Sequence, residues 1–541
     1  MRIASVGAVC VVSCAASAGP LSPPAGPIAE TYKTLDEVEP RIPVGPDTTP
    51  GDSGATYIIA APGSYYLTGN VTGASGKIGI EINAENVHLD LSGYTLQGVP
   101  GSLQGVLVSV DGAHVKNGIV TDWGDTGVDI SAFNSTVEGV LSSGNGVHGF
   151  DLSANVRVTD CKAVGNSLSG FYSNSNGVQY TNCQATSNSG GAGFSQGTRC
   201  VYIGCVAQGN RDGGFNVGEE NVFTRCVATD NAFYSGATGA GFTAIGSSSS
   251  FDSCIAANNN GDGFSAGGTF TGCSAEDNAE FGYQLGPNST VTTSKSFSND
   301  QGGISISNYS TINGSASRSD AFFGIDAEVG CVVENCVVYA STGRGIDVST
   351  GTVVRGCSAS TNGDHGIFAS NECLITDCAV NGNAQSGVYG SDNCIVRNTT
   401  ASNNTSIGIR IGAGSMVSGC SAAGNATGIS TGDRCFVDSC NVRSNSANGI
   451  YANHYCRITN NTCTLNSNGG AGANIRTNFG GRVEGNTCTE GGIGIQVDGA
   501  RNAVVRNDLI LNGSNIANPG GSTLPPSSGP GTAVDNDNIA H

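Results

Sequence analysis

"VTDCKAVGN" (Val158–Asn166) returns, with the same shape, as "YTNCQATSN" (Tyr180–Asn188), "FTGCSAEDN" (Phe270–Asn278), "VRGCSASTN" (Val354–Asn362), "ITDCAVNGN" (Ile375–Asn383) and "VSGCSAAGN" (Val417–Asn425). With the Cys at register zero, the series runs from Cys161 to Asn507 in steps of mostly twenty to twenty-two residues, and Val140 and Gly118 extend it backwards. A period of that length is the mark of a solenoid.

Two residues after zero stands a small or aliphatic residue, as in Ala163, Ala207, Val338 and Val442. Two or three before it stand Val158, Ile203, Phe223, Val333, Ile375, Val396, Val437 and Ile458. Such brief period-two alternation describes strands with one face inward. At nine and ten after zero a Gly precedes an apolar residue, as in Gly170-Phe171, Gly214-Phe215 and Gly345-Ile346, and a third strand starts there. Because each period repeats in the same sense, the strands coil rather than form hairpins. About eighteen coils, spaced by ~4.7–4.9 Å, make a rod on the order of 85 Å long. Five after zero recurs an Asn, from Asn145 and Asn166 to Asn466 and Asn512, interrupted by Asp320, Ser341 and Gly491. Asn accepts left-handed backbone angles, and stacked amides can bond one another along a rod.

Register, Asn ladder and Gly position together resemble the right-handed parallel β-helix repeat proteins of the pectate-lyase-like superfamily. The stretch from "PGSYYLTGNVTG" to "IEINAENVHLDLSGYTLQG" (Pro62–Gly98) looks like that family's first coils. The resemblance spans about Tyr57 to Asn512 and implies an all-β solenoid; its members include lyases, glycosidases, epimerases, tailspikes and plain surface proteins, so fold alone selects no activity.

The domain reading is a signal peptide over 1–18, a capping segment over 19–56, the β-helix over 57–514 and a Pro/Gly-rich tail over 515–541. The start "MRIASVGAVCVVSCAASAGP" has an apolar run and an A-x-A arrangement at Ala16 and Ala18, the pattern of an export leader. "ETYKTLDEVEPRIPVGPDTTP" opens with a helix-like pattern at Tyr32, Leu35 and Val38 that would cover the open rod end. A secreted, periplasmic or cell-surface monomer is expected. Of the 541 residues only 12% are charged and the net charge is -20, which disfavours nucleic acid and anionic membrane as partners. No segment is long and apolar enough to span a bilayer. The 21 cysteines read as buried thiols filling the core. Pairing Cys200 with Cys205, Cys331 with Cys336, Cys373 with Cys378 or Cys435 with Cys440 would need side chains on different strands of one coil to meet.

Insertions such as "AFYSGATGAG" (Ala232–Gly241) fall between the ladder Asn and the Gly, which points to the strand after the Gly as the binding face. Its outward residue, eleven after zero, reads Asp129, Asp151, Tyr172 and later Asp326, Asp347, Phe368, Tyr389, Arg410 and Tyr451. Asp326 and Asp347 are expected as next-coil neighbours, able to raise one pKa or to share a cation such as Ca²⁺. Arg344, Asp364 and His365 stand in the turns just before that strand. A proton-transfer group in Arg344 or His365, with Asp364, Phe368, Tyr389 and Arg410 receiving sugar, completes a candidate site. A second cluster comprises Asp129 and Asp151 with Trp123, Asp125, His148 and Tyr172. The residues depart from the family's enzyme motifs: no Asp-Asp occurs, "VHG" (His148) and "DHG" (His365) only approach Gly-His-Gly, and Asp-Pro-His is missing. The sequence therefore supports two readings, a protein that binds or processes polysaccharide, with lyase or glycosidase action on a uronate polymer, and a non-catalytic surface rod.

Overall fold

The computed structural model describes residues 40–232, 239–467, 470–518, 527–528 and 538–540. The leader expected over 1–18, the helix-like pattern at 32–38 and the middle of the Ala232–Gly241 insertion lie outside them. By its contacts the chain divides into Met1–Arg41 and Ile42–His541, and all the described residues but 40 and 41 belong to the second unit.

That unit is an all-β parallel solenoid of about 22 turns. The coil around Cys161 shows the plan. Its strands are Arg157–Thr159, Lys162–Val164 and Phe171–Tyr172, each paired in parallel and in register with the coils before and after. Three sheets result, and the third, built from the strands after the Gly, carries the candidate site. The coil number exceeds the eighteen expected because winding begins with Ile42–Pro43 and Ala55–Ile59, ahead of the first Cys. Those early coils bury Ile80, Leu89 and Val106 instead. At the other end Ser514–Ala517 continues the third sheet, and Asn538–Ala540 pairs with Asp508–Ile510. No helix among the described residues is long and apolar enough to cross a membrane.

The bends between strands require left-handed backbone, and this falls one residue before the Cys and four after it: Asp160 (φ 53) and Gly165 (φ 63) in this coil. The ladder Asn itself does not take that conformation, contrary to the expectation above; its side chain does the work. Asn188 Oδ1 accepts from Asn166 N (3.1 Å) and Asn166 Nδ2 (3.0 Å), and Asn188 Nδ2 donates to Asn210 Oδ1 (2.7 Å). Each step thus satisfies a buried backbone donor and two side-chain groups, worth about 1 kcal/mol net per bond.

The ladder is broken once within its central run. Asp320 Oδ1 takes both donors of Asn299 (2.9 and 2.8 Å), but Oδ2, where an Asn would carry its NH₂, accepts from Ser317 Oγ (2.7 Å). It has no proton for the next coil, whose Ser341 Oγ is buried without a partner among the described residues. The run resumes with Ser341 N donating to Asn362 Oδ1 (3.1 Å).

Inside, one column of rings runs Phe150, Phe171, Phe194, Phe215, Phe242, Phe264 and Tyr283, centroids 4.7–4.9 Å apart. A second, Tyr180, Tyr202, Phe223, Phe251 and Phe270, stacks at 4.6–4.8 Å and meets the first edge-to-face. Tyr202, not Ile203, is the inward residue of its strand. Every Cys among the described residues is buried and free. Cys161 Sγ lies 3.3 Å from Thr159 O and 3.6 Å from Val137 O, a weak donor placed at a bend.

Candidate functional site

In-register pairing on the third sheet lines up Asp326, Asp347, Phe368, Tyr389 and Arg410 on five successive coils. The strand alternation that turns Ile325, Ile346 and Ile367 into the core turns these five outward. His365 enters from the bend before its strand, whereas Arg344, expected in the turn, is the first residue of the strand Arg344–Val348; both join the same strip.

Arg344 is held on three sides. Its Nη1 donates to Asp347 Oδ2 (2.7 Å), its Nε lies 3.6 Å from Asp364 Oδ2, and its Cζ sits 3.6 Å over the Phe368 ring centroid. A guanidinium stays charged and cannot act as a base, so Arg344 offers the groove a fixed positive charge. His365 Nδ1 accepts from Ser386 N (3.1 Å), which leaves the proton of the neutral ring on Nε2, 3.7 Å from Asp364 Oδ1. Burial lowers the pKa of His365, against the opposing pull of Asp364. The imidazole is therefore a neutral, aimed donor. Asp326 carries the proton-transfer potential: burial first, and then the Asp347 carboxylate, push its pKa up to about 6, against the hydroxyl of Ser305, which donates to Oδ2 (3.1 Å).

Phe368 and Tyr389 stack at 5.0 Å with 11° between planes, and Arg410 Cζ lies 5.0 Å over Tyr389. Beyond them opens a cleft of ≈ 590 Å³ lined by Tyr389, Asp392, Arg410, Ser430, Tyr451 and Asn453 among others. Of these, the sequence reading missed Ser430, which pairs in register with Arg410, and also Asp392 and Asn453, with Asn371 beside them. Asn371, Asp392 and Asn453 follow the third strand, where Asp392 N donates to Asn371 Oδ1 and Ala413 N to Asp392 Oδ1. Asn371 and Asp392, each seven before zero, offered a signal; Asn453, eight before zero, did not.

Ca²⁺ needs six to eight oxygen ligands. Asp347 already spends one oxygen on Arg344, and no group of three or more His, Cys, Asp or Glu among the described residues has the geometry to hold an ion. The Asp326–Asp347 pair does not fit a calcium site.

The second cluster also forms: Asp129 and Asp151 are in register, and His148 stacks on Tyr172 at 4.5 Å. Trp123 is not part of it. At five after Gly118 it occupies the first rung of the ladder, its N donating to Asn145 Oδ1 (3.1 Å), with the indole buried and Nε1 donating to Leu96 O (3.1 Å). A Cβ on Gly73, Gly79 or Gly105 would strike that ring.

The family profile described as a right handed beta helix region matches residues 190–322, 313–436 and 427–521. Among solved structures, the periplasmic alginate epimerase AlgG is 11% identical over 71% of this chain and 77% of its own, with a TM-score of 0.24. Pectate lyase Pel9A is 13% identical over 41% and 68%, with a TM-score of 0.20. The A-module of Azotobacter vinelandii mannuronan C-5 epimerase AlgE4 is 12% identical over 86% and 91%, with a TM-score of 0.19. A comparison with curated proteins finds no match. Likenesses this distant do not bear on the choice of substrate.

Proposed function

Since the chain belongs to the right-handed β-helix family, we propose that its third sheet binds and processes a uronate-bearing polysaccharide on the strip from Asp326 to Tyr451. The observation that carries this reading is the juxtaposition of Asp326, its pKa raised to about 6, with the clamped Arg344 guanidinium and a stacked aromatic platform. Aromatic faces receive sugar rings, a fixed cation neutralises the sugar carboxylate, and a carboxyl titrating near neutrality exchanges the proton that β-elimination or hydrolysis requires. Arg410, exposed over Tyr389, positions a neighbouring sugar unit in the cleft. With Asp347, Asp364 and Asp392 on the same strip and a net charge of -20, an anionic chain is held by direct contact with the Arg344 and Arg410 guanidinium groups rather than drawn in from a distance. The leader-like pattern read over 1–18 supports an activity outside the cytoplasm.

The test is an assay of the purified protein on alginate and polygalacturonate, following unsaturated-uronate absorbance and reducing ends. Product formation abolished by Asp326→Asn, with binding retained, supports the reading. No product and no binding to either polymer would leave the rod as a surface spacer, a reading favoured by coils that keep register apart from a shift between Ala244 and Ser249.

A further inference from the structure

The chain carries the His–Tyr arrangement twice. His148 to Tyr172 and His365 to Tyr389 are segments of equal length, sharing eleven of twenty-five residues, among them the His, the Ser twenty-one positions on and the closing Tyr. The structure repeats the contacts as well. His148 Nδ1 accepts from Ser169 N (3.2 Å) as His365 Nδ1 does from Ser386 N (3.1 Å). Each imidazole lies against the Tyr of the next coil, at 4.5 Å for His148 and 5.1 Å for His365. Both His–Tyr pairs lie at the third sheet, ten coil steps and so ~48 Å apart.

What surrounds the two arrangements differs in charge. The position of Arg344, eight after zero in the preceding coil, is held by Thr126, and the strand neighbour of Tyr172 is Ser195 where that of Tyr389 is Arg410. Phe368 is replaced by Asp151, in register with Asp129. The charged groups acting on Asp129, Asp151 and His148 are all aspartates, Asp125 included, with no Lys or Arg among them. A sugar carboxylate would be repelled there. An ammonium placed over the Asp129–Asp151 pair would replace the missing guanidinium, while the Tyr172–His148 stack receives the ring and Nε2 of His148 donates to a hydroxyl.

We infer that the chain carries a second saccharide site, centred on His148 and Tyr172, that selects amino sugars as the Arg344 strip selects uronates. The inference shares with the proposed function the premise that this sheet receives sugar, but neither its residues nor its ligand.

Calorimetric titration at about pH 6 with a glucosamine hexamer, its fully N-acetylated counterpart and a mannuronate hexamer tests it. The glucosamine hexamer is expected to bind one to one, to lose about tenfold in affinity with Tyr172→Ala or Asp151→Asn, and to be unaffected by Tyr389→Ala. Tyr172→Phe keeps the stack and should keep the binding. Equal affinity for the acetylated hexamer, no binding of the glucosamine hexamer, or binding indifferent to Tyr172→Ala each overturns the site. Loss of both ligands in Tyr172→Ala counts against it too, since the two strips are separate. Failure of the mannuronate hexamer together with no product from, and no binding to, alginate and polygalacturonate overturns the proposed function and leaves this site standing.

Discussion

The break at Asp320 and Ser341 can be repaired, and the repair should be strongly non-additive. In Ser341→Asn alone, the new Oδ1 would gain the backbone N–H of Asp320 but would face Asp320 Oδ2, an acceptor bonded to Ser317. One bond gained, about 1 kcal/mol, is set against acceptor repulsion of similar size. Asp320→Asn alone supplies an NH₂ with no ladder partner above it, because Ser341 Oγ is too short to take one. Only the double variant allows the full step seen at Asn188: two donors on one Oδ1. Those two bonds are worth about 2 kcal/mol together, less about 1 kcal/mol for ordering a longer side chain. The expected coupling between the sites is therefore about 2 kcal/mol. Native-state hydrogen exchange at the amide of Thr342, which donates to Asp320 O (3.2 Å) across the broken step, reads the local opening free energy without requiring reversible global unfolding. Slower exchange in the double variant than in either single one is expected. Effects of the two substitutions that add within about 0.5 kcal/mol would refute the account of the ladder given above.

Burial raises the pKa of Asp326 from 3.8 to about 6, so the native protein holds a proton between those values that the unfolded chain has released. The stability this contributes is complete below about pH 4 and lost as pH rises through 6. Asp326→Asn should thus stabilise on the order of 2 kcal/mol at pH 7.5, after discounting for partial exposure, and the gap should close below pH 4 in denaturant titrations. Phe223→Ala removes a ring flanked by Tyr202 and Phe251 and met edge-on by Phe215 and Phe242; a cost of about 3–5 kcal/mol is expected in the unfolding midpoint. Gly105→Ala, whose Cβ would fall 2.4 Å from Val120 Cγ1 and 2.9 Å from the Trp123 ring, should destabilise and shift the emission of the chain's one Trp, while Gly93→Ala, with open space around it and φ +80, should leave that emission unchanged. Tyr389→Ala should raise KM on a uronate polymer with little change in kcat, since the ring holds sugar without exchanging protons.

Most of the fold was legible because its signal is repeated: the inward Cys and Ala, the Gly before the third strand and the ladder Asn each recur in coil after coil. The neighbour relations Asp326–Asp347 and Asp129–Asp151 followed directly from that register. Where the repeat was read by residue type instead of position, it misled. Trp123 stands on a rung, and a rung points inward whatever side chain it bears; Ile203 is aliphatic but sits one place off the inward position of Tyr202. The coil number fell short because the first turns use aliphatic residues in place of the Cys that served as the marker. Beyond the Asn ladder, whose amide-to-amide bonds were expected and form, hydrogen-bond roles were not legible. That His365 spends Nδ1 on Ser386 N depends on bend geometry, and that Arg344 is pinned between two aspartates and a ring depends on side-chain placement at a strand start, neither of which a period encodes.

Because a turn such as the one around Cys183 presents upward the same pattern of donors, rings and thiols that it receives from below, a tandem copy of some twenty-one codons there would add a turn without altering the cross-section. Length, and with it the spacing between distant parts of the third sheet, is in that sense a heritable variable separable from local chemistry: slippage during DNA copying could slide one strip along the rod relative to the other while leaving both intact.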